Sequence, residues 1–462
     1  MTSIKDFLYQ WPQETLENNP HWQTSQLSPE YFTRKLPESR EELAKDSRWP
    51  AFFPSAISLV TVQYEDQTAI EKVVGASIVN RFPYIIALSF AKEDLSQRHH
   101  QRSHFTELIE KSKSVAIQFL PPNDTLQKIM QTIVQSKDEQ TTKRLQQIGV
   151  PIRKAHSNNA PVFTEAYMVY EATLVNPTQD FEGNAIFQQP YQDVGSHRIY
   201  FFEIEAIQLK TEIAQGKEQI YWKSLPAWQG MTFQKTAQDI EQAQLKAKYT
   251  KGYSPNYKFP AKNTVSFESH HSENNMEIQI IKKWKYEEIK LDNDAARWPC
   301  FFPSSLGMIT SYDDNQTPNL MPCGSTTLVS RHPLIISPCI CYASINDRYA
   351  KRSSLENIRK TKKFGCGVAY IDDALTEAIK YSGSLSITQD PQKIQNSGLK
   401  TLPHPHAPII HDLPIHFDCE VVGEILLGTH TMLLGEVKQI YVHKNLSPSA
   451  PFEWYPWSDI VV

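Results

Sequence analysis

Three cations and two serines stand at the start of a predicted helix in the second half of the chain. They are Arg348, Lys351, Arg352, Ser353 and Ser354. Ser353 and Glu356 have the spacing of a capping box, and Leu355 and Ile358 supply the apolar stripe of a short helix. Free amides at the helix start, the helix dipole, the serine hydroxyls and the arginines each favour a phosphate group here. A solvated helix cap with ordinary surface charges fits the same pattern.

A strand-like segment upstream of this helix is interrupted by a proline and a glycine. Its residues are Asn319, Leu320, Met321, Pro322, Cys323, Gly324 and Ser325. Proline lacks a backbone donor and glycine lacks a side chain, so a flat hydrogen-bonding ring can approach such a strand edge and meet its backbone groups. A simple bulge at a barrel corner is the alternative interpretation.

Two histidines each open a long apolar strand. His197 follows a Gly-Ser pair and His430 follows a Gly-Thr pair. A histidine at the mouth of a strand, beside a flavin or nicotinamide ring, could orient a substrate or donate a proton near neutral pH. We therefore predict His430 and His197 as the catalytic candidates, with closure of a turn as the alternative role.

The remaining candidate ligands and thiols predict no metal site. His404, His406, His411 and His416 lie close together in the sequence, but the intervening prolines and the irregular spacing favour a solvated loop. All six cysteines lie in the second half without C-x-x-C spacing, which argues against a disulfide framework and a zinc ribbon. Cys339 and Cys341 alternate along a strand and are predicted to be packed core thiols.

Several nucleotide-binding and hydrolase motifs are absent from the sequence. It contains no G-x-G-x-x-G between a strand and a helix, no G-x-x-x-x-G-K-[ST] and no G-x-S-x-G. The Rossmann, P-loop and hydrolase classes therefore lack their characteristic residues.

An internal duplication sets the architecture of the chain. Residues 48–55 (RWPAFFPS) return as residues 297–304 (RWPCFFPS), a displacement of about 250 residues. At similar displacements Arg102-Ser103 matches Arg352-Ser353, and Ala160-Pro161 matches Ala407-Pro408. The chain is therefore predicted to be a tandem repeat.

Each copy contains the same predicted order of elements. In the first copy we expect strands at 57–64, 72–80, 84–90, 114–120, 167–176 and 197–209, with a helix at 103–113. In the second copy we expect strands at 306–312, 320–329, 334–341, 364–370, 414–424 and 430–442, with a helix at 353–363. Six strands rich in Val, Ile, Phe and Tyr predict a mainly β protein, a small antiparallel β-barrel with peripheral helices in each copy.

The repeat divides the chain into four predicted segments. They are an N-terminal extension at 1–45, a first barrel at 46–230, a polar linker at 231–292 with a helical stretch at 236–249, and a second barrel at 293–462. The linker is long enough to let the two barrels dock side by side.

Composition restricts the partners of the protein. The chain has 462 residues, a net charge of -4 and a pI of about 6.4, so it offers no basic surface in bulk for nucleic acid. The mean hydropathy is -0.46, no apolar run approaches about 18 residues, and the start lacks a basic segment followed by an apolar one. We expect a cytoplasmic protein that binds small molecules and neither nucleic acid nor membrane.

These residues together resemble the flavin reductase-like family, whose fold is the FMN-binding split barrel, and in particular its flavoredoxin-type members. The family's Asn-x-Met pattern, followed by a small residue, Gly and a Ser-rich run, is similar to residues 319–325. Its Arg-x-Thr-x-x-x-Ile pattern is similar to residues 352–358, with Ser354 in place of threonine. Its late signatures are similar to Ala407-Pro408, Cys419-Glu420 and residues 428–437.

The first copy resembles the family more faintly. Residues 102–109 are similar to the helix pattern with one extra residue, and Gly75-Ala76-Ser77 stands for the small-residue run. No Asn-x-Met precedes that run. The resemblance therefore implies one complete cofactor site, built mainly by the second copy.

The resemblance also implies what that site does. Family members are typically homodimers with FMN at the interface, so the two copies are expected to form a pseudo-dimer within one chain. The FMN phosphate is expected to meet Arg352, Ser353 and Ser354, with Arg348 or Lys351 assisting. The ring is expected to lie against Met321, Pro322, Cys323, Gly324 and Ser325, next to Asn319, while Arg102 and Ser103 offer the equivalent contacts in the first copy. His430 or His197 is expected to face the ring.

Three functions remain open at this point. The leading one is an NAD(P)H-dependent FMN oxidoreductase that takes hydride from NADH or NADPH and passes electrons to free flavin, a metal or a partner oxygenase. The second is a flavoenzyme that oxidises or reduces one small organic substrate. The third is a non-catalytic flavin-binding or interaction module. The protein is expected to be a monomer that contains its own pseudo-dimer, or a higher homo-oligomer.

Overall fold

A computed structural model describes most of the repeat core. The described residues are 22–35, 58–73, 75–80, 84–92, 102–120, 124–135, 138–175, 191–210, 267–271, 277–282, 305–331, 333–341, 352–369, 373–427 and 430–444.

The first half of the chain forms twelve of the described strands and three helices. In chain order these are β1 (Gln23–Thr24), β2 (Tyr31–Lys35), β3 (Ser58–Tyr64), β4 (Gln67–Val73), β5 (Gly75–Asn80), β6 (Ile85–Ala91), α1 (Arg102–Ser112), β7 (Ser114–Phe119), α2 (Asp124–Gln135), α3 (Asp138–Gln147), β8 (Ile152–Lys154), β9 (Pro161–Phe163), β10 (Met168–Leu174), β11 (Tyr191–Val194) and β12 (His197–Lys210).

The second half of the chain repeats this order. Its described elements are β13 (Phe267–His271), β14 (Glu277–Lys282), β15 (Ser305–Tyr312), β16 (Pro318–Arg331), β17 (Leu334–Cys341), α4 (Ser353–Thr361), β18 (Lys363–Val368), α5 (Asp373–Ser384), α6 (Lys393–Asn396), β19 (Thr401–Leu402), β20 (Ile409–Ile410), β21 (Ile415–Leu426) and β22 (His430–His443).

Six antiparallel strands close the barrel of the second copy. The order of pairing is β22, β17, β16, β15, β18, β21 and back to β22. The interior alternates with the exterior along each strand, so that Ile309, Phe364 and Phe417 meet in one apolar cluster. Closure leaves none of these six strands as a free edge.

The first copy has the same pairings. β3 pairs with β4 and β7, β7 with β10, β10 with β12, and β12 with β6, which pairs with β5. β4 and β5 are separated by a single residue and occupy the place of the one long strand β16. The predicted mainly β fold of two tandem split barrels is confirmed.

Each barrel also carries a hairpin from the other repeat. β1 and β2 precede the first barrel along the chain, yet β2 pairs with β22 of the second barrel. β13 and β14 precede the second barrel, yet β14 pairs with β12 of the first. The interval from hairpin to barrel is the same in both repeats, since β2 ends at Lys35 and β3 begins at Ser58, while β14 ends at Lys282 and β15 begins at Ser305. The two repeats therefore exchange their hairpins.

This exchange changes the meaning of two predicted segments. The predicted N-terminal extension at 1–45 contains β1 and β2, and the predicted linker at 231–292 contains β13 and β14. Both segments thus include part of the repeat unit. The helical stretch predicted at 236–249 lies outside the described residues.

The two barrels share an apolar interface. Its buried cluster combines first-barrel residues such as Val79 and Phe201 with second-barrel residues such as Val329 and Met432. Among the described residues, hydrogen bonds that cross it include Ser89 Oγ to the Val329 carbonyl at 2.6 Å, the His430 amide to Asn80 Oδ1 at 3.1 Å, and the Ser196 and Ser330 hydroxyls at 3.4 Å. The predicted intrachain pair of barrels is confirmed. Among the helices that the structure describes, none is long and apolar enough to cross a membrane.

Gly75 lies at a close approach between the backbones of the two barrels. A Cβ atom at this position would lie 2.7 Å from the Leu328 carbonyl oxygen of the other barrel and 2.9 Å from Ser89 Cβ. Because neither atom is the end of a flexible side chain, Gly75→Ala is expected to lower the free energy of unfolding by about 1–3 kcal/mol. The measurement is the denaturant midpoint.

Gly423→Ala is the matched control for this prediction. Its Cβ would meet only Leu434, a side chain that can move, at 3.1 Å. Equal destabilisation by the two substitutions would contradict the assignment of Gly75 to a close backbone approach between barrels.

Candidate functional site

The start of α4 has no side-chain cap. Its N-cap residue is Arg352, with extended backbone angles, and no side chain bonds the first turn. The capping box expected from Ser353 and Glu356 is not formed, because Ser353 is already the first helical residue and its hydroxyl lies 3.3 Å from Ser386 Oγ. An uncapped helix start offers its positive end to an anion.

Asn319 connects β16 to this helix. Its Nδ2 donates to Ser354 Oγ at 2.9 Å, and both side chains are almost fully buried. The other amide atom, Asn319 Oδ1, is buried with no hydrogen-bond partner among the described residues. An unpaired buried acceptor costs about 1–3 kcal/mol, so a ligand hydroxyl at this place would relieve a real penalty.

A second cation lies beside Arg352. Lys393, in the first turn of α6, is only 4% exposed, and its amine donates to the Leu385 carbonyl at 3.2 Å. Burial, together with the nearby charge of Arg352, lowers the pKa of Lys393 to about 7. Among the described residues no carboxylate forms an ion pair with this lysine, although the more distant Asp390 favours its charge. Two cations held together in this way favour an anion between them.

The segment that carries Lys393 also presents an unused donor. Gln389 Oε1 accepts from the Ser386 amide at 2.8 Å, while Gln389 Nε2 is buried without a partner among the described residues. Ser386 in turn contacts Ser353 at the start of α4. The uncapped helix, two cations and a buried amide donor therefore converge on one place, and we call Arg352, Ser353, Ser354, Gln389 and Lys393 the anion cradle.

Next to the anion cradle, the ladder of β16 is interrupted. β15 opposes Cys323 with Gly307 and Thr326 with Ser305, and β17 pairs with β16 only from Thr326 onward. Gly324 and Ser325 therefore have no partner residue in either neighbouring strand, and both are partly exposed. Met321 is partly buried against the barrel core, and Pro322 and Cys323 are buried. This bulge leaves the backbone at Gly324 and Ser325 unpaired, where a flat ring could approach it. The expected ring-binding edge and the alternative of a barrel-corner bulge therefore describe the same geometry.

The two predicted histidines lie at different places in the interface. His430 begins β22. Its backbone amide donates to Asn80 Oδ1 of the first barrel, and Cys341 is its partner residue on β17. His197 begins β12, and its Nδ1 lies 2.9 Å from the Ser196 hydroxyl. That hydroxyl lies 3.4 Å from Ser330 Oγ, five residues beyond Ser325 along β16. Both histidines are partly exposed, but His430 lies on β22 beside β17, which pairs with the bulged strand β16, so its place in the second barrel favours it over His197 for the second-barrel site.

The thiols do not add a nucleophile to the site. Burial raises the pKa of Cys323, Cys339, Cys366 and Cys419, so these groups stay protonated near neutral pH. Cys323 donates to the Cys339 carbonyl at 3.4 Å as a packed strand residue. Arg348 and Lys351, predicted to assist Arg352, lie outside the described residues.

At the compared positions that the structure describes, the first barrel has apolar residues in place of polar ones. The register of β4 and β16 places Ala69 where the second barrel has Asn319. The helices end at Lys113 and Lys362, which both have positive φ, and counting back from them places Phe105 at the position of Ser354. Ala69 and Phe105 are buried in the apolar core.

The other helix positions agree with this comparison. Leu108, fully buried, occupies the place of Asn357, and Arg102 falls one residue before the place of Arg352. The side chains of Arg102 and Ser103 lie outside the described residues. The first barrel has thus replaced the polar floor of the anion cradle by packed core.

Sequence reasoning missed Lys393 and Gln389. Both lie in the polar run QDPQKIQNSG, where nothing in composition or spacing distinguishes a buried cation from a solvated one. Comparison of the copies offers one signal, because counting back from Gly398 and Gly149, which both have positive φ, aligns Lys393 with Arg144, another cation. Arg144 is exposed, so the alignment could predict a positive charge at position 393 but not that this charge is buried.

The fold defines a class of protein, a fused pair of split barrels, and the anion cradle is its candidate ligand site. The model of the flavin reductase like domain matches the chain twice, over residues 51–226 and 299–456, which together make up most of its length. The chain therefore belongs to the flavin reductase-like family, and a flavin-related oxidoreductase is the broad function of that family.

Several solved structures match parts of this chain at low identity. Flavoredoxin of Desulfovibrio vulgaris is 19% identical, with 33% of this chain and 77% of that chain covered and a TM-score of 0.28. The 2-nitrobenzoate 2-nitroreductase of Pseudomonas fluorescens is 20% identical, with coverage of 32% and 69% and a TM-score of 0.26. Nitrilotriacetate monooxygenase component B of Bacillus cereus is 15% identical, with coverage of 37% and 87% and a TM-score of 0.31. No curated protein matches the chain.

Proposed function

We propose that the protein is an FMN-dependent oxidoreductase with a single flavin site on the second barrel. The observation that carries this proposal is the anion cradle, in which Arg352 and the buried Lys393 lie at a helix start that has no side-chain cap. A phosphate monoester supplies the missing negative charge and accepts from the unused Gln389 amide.

Different residues of the second barrel would contact different parts of the cofactor. Arg352, Ser353, Ser354 and Lys393 would hold the phosphate, and the unpaired Asn319 Oδ1 would accept from a hydroxyl of the ribityl chain. The unpaired strip at Gly324 and Ser325 would take the edge of the ring, beside Met321, Pro322 and Cys323. When bound, FMN supplies the hydride-accepting chemistry.

His430 is the residue that we propose to face the substrate. Its backbone is fixed by Asn80 of the first barrel, so the first barrel contributes to the site without binding the phosphate. A partly exposed imidazole at the mouth of the strand can orient a nicotinamide or a second substrate and hold a proton near neutral pH. The equivalent place in the first barrel has His197, Arg102 and Ser103. These residues would contribute at most to a site there and not to the second-barrel site.

NADH or NADPH is the proposed electron donor, and free flavin, a metal or a partner oxygenase is the proposed acceptor. The test is anaerobic addition of each nicotinamide to the purified flavin-loaded protein, followed by visible absorption. We expect rapid bleaching of the flavin band by at least one nicotinamide. Slow bleaching by both, with rapid bleaching by one organic substrate, would favour the specific flavoenzyme. A colourless protein that gains no heat stability from added FMN would show a flavin-free interaction module.

A further inference from the structure

A second polar cluster lies on the outer face of the second barrel, apart from the anion cradle. Asp418 of β21 opposes Gly365 of β18, and the loop between β19 and β20 covers this face. That loop contributes His404 and His406, which flank Pro405. The proline stiffens the loop and so fixes the spacing of the two imidazoles.

The three side chains converge on one point. His406 Nδ1 lies 2.9 Å and 3.0 Å from the two carboxylate oxygens of Asp418. One ring nitrogen of each histidine and one oxygen of Asp418 all lie within 4.8 Å of one another. The Asp418 side chain is 7% exposed and the His406 side chain is 30% exposed, so the cluster is enclosed on one side and reachable from the other.

Tyr441 orients the second imidazole. Its hydroxyl donates to Gln439 Oε1 at 3.0 Å and therefore accepts from His404 Nε2 at 3.1 Å. His404 Nδ1 is then the nitrogen without a proton, and it accepts a long hydrogen bond of 3.3 Å from the His406 amide, which a metal ion at this nitrogen would replace. A hydrogen bond from the far ring nitrogen to a neighbouring group is the usual support of a histidine that binds a metal.

The first barrel has a carboxylate at the same place with different partners. Glu171 occupies the strand position of Asp418. Glu171 is paired with Ala116, which in turn is paired with Thr61. Asp418 is paired in the same way with Gly365, and Gly365 with Thr310, the counterpart of Thr61. Glu171 accepts from the amides of His156 and Ser157, the Ser157 hydroxyl and the Gln208 amide. Amide and hydroxyl donors make that carboxylate a purely structural anchor for its loop.

The second barrel keeps the carboxylate but changes the groups around it. Two imidazoles replace the hydroxyl and amide donors of the first barrel. Tyr441 replaces Gln208, since each lies two residues after the partner of the carboxylate on the last strand. Two imidazoles and a carboxylate on one face are a ligand set for zinc and its neighbours in the first transition row. We propose that His404, His406 and Asp418 bind one divalent first-row transition metal ion, with its remaining coordination positions open to water on the exposed side of His406.

The test is a metal titration of the purified full-length protein after dialysis against a chelator. Calorimetry with Zn²⁺ is expected to show one saturable site per chain. His406→Gln and Asp418→Asn are each expected to weaken that site by at least about tenfold, the scale on which even the supporting partners of a metal ligand act. His411→Gln is the matched control, because His411 bonds Glu30 instead and has the same side-chain exposure, and it is expected to bind Zn²⁺ like the unchanged protein.

A second measurement keeps the test decisive if a variant does not fold. Co²⁺ bound to the unchanged protein is expected to give visible bands of nitrogen and oxygen ligands, without a thiolate charge-transfer band. Absence of saturable Zn²⁺ binding, a thiolate band, or equal affinity in the His406→Gln protein would each overturn the proposal.

Discussion

Replacing Arg352 with alanine is expected to weaken FMN binding by about tenfold to a hundredfold. A charge-assisted hydrogen bond to a phosphate is worth about 1.5–3 kcal/mol, and its loss leaves Lys393 as the only described cation in the cradle. The measurement is equilibrium titration of the flavin-free protein with FMN, followed by quenching of flavin fluorescence.

Arg359→Ala is the matched control for this substitution. Arg359 lies on the same helix, in its last turn, and pairs with Glu424 on β21. Its removal deletes the same charge at the opposite end of α4 and is expected to leave the dissociation constant of FMN unchanged. An unaltered affinity in the Arg352→Ala protein would refute the placement of the phosphate at the start of α4.

Lys393 should make FMN binding depend on pH. Its pKa of about 7 in the empty site means that about half of the protein carries a neutral amine at that pH. A bound phosphate stabilises the ammonium form and raises the pKa, so binding above pH 7 takes up a proton. We expect the dissociation constant to rise by up to about tenfold per pH unit above pH 7, and also below about pH 6 as the phosphate itself becomes protonated.

The charged groups around Lys393 support this direction. Arg352 of α4 disfavours the ammonium form, and Asp390 favours it from the segment before α6. The Asp390 carboxylate is already engaged by Tyr381, Asn396 and the Gln392 amide, so it does not neutralise the lysine directly. A ligand anion beside the amine would raise its pKa toward the ordinary value.

Lys393→Met removes the titrating amine and keeps an unbranched side chain, one heavy atom shorter. This variant is expected to bind FMN more weakly at pH 7 and to lose the pH dependence above it. Arg144→Met in the first barrel, at the counterpart position but exposed, is the control and should retain both. A pH profile that is unchanged by Lys393→Met would exclude contact between this lysine and the phosphate.

Lys393, which favours FMN binding, lowers the folding stability of the FMN-free protein. Its pKa is lower in the folded state than its ordinary value of 10.5, so the unfolded chain binds the proton more tightly. The cost to stability is absent above the unfolded pKa, grows as the pH falls toward about 7, and is constant below it. Lys393→Met should therefore stabilise the FMN-free protein near neutral pH, which separates loss of affinity from loss of folding.

The barrel strands could be predicted because their signal is local. Alternating or continuous apolar runs locate β3 and β15 within a residue of their observed bounds, and the repeated RWP and Ala-Pro segments align the copies. The start of α4 was located within one residue, although its cap was misassigned, because Arg352 and Ser353 differ only in backbone angles that composition does not report.

Pairing across the repeats could not be predicted in this way. The sequence of β14 predicts a strand at most, whereas its partner β12 lies in the preceding barrel. Burial of Lys393 depends on how residues 385–389 pack against α4, which no periodicity records. The apolar character of the first-barrel counterpart depends on strand register, which places Ala69 at the position of Asn319, and on the helix ends, which place Phe105 at the position of Ser354.

The number of flavins per chain tests the central claim most directly. Titration of the full-length flavin-free protein with FMN, at concentrations well above the dissociation constant, is predicted to saturate at one FMN per chain. Saturation at two would show that the apolar counterpart in the first barrel also binds the cofactor. No saturable binding would contradict the assignment of the anion cradle to a flavin phosphate.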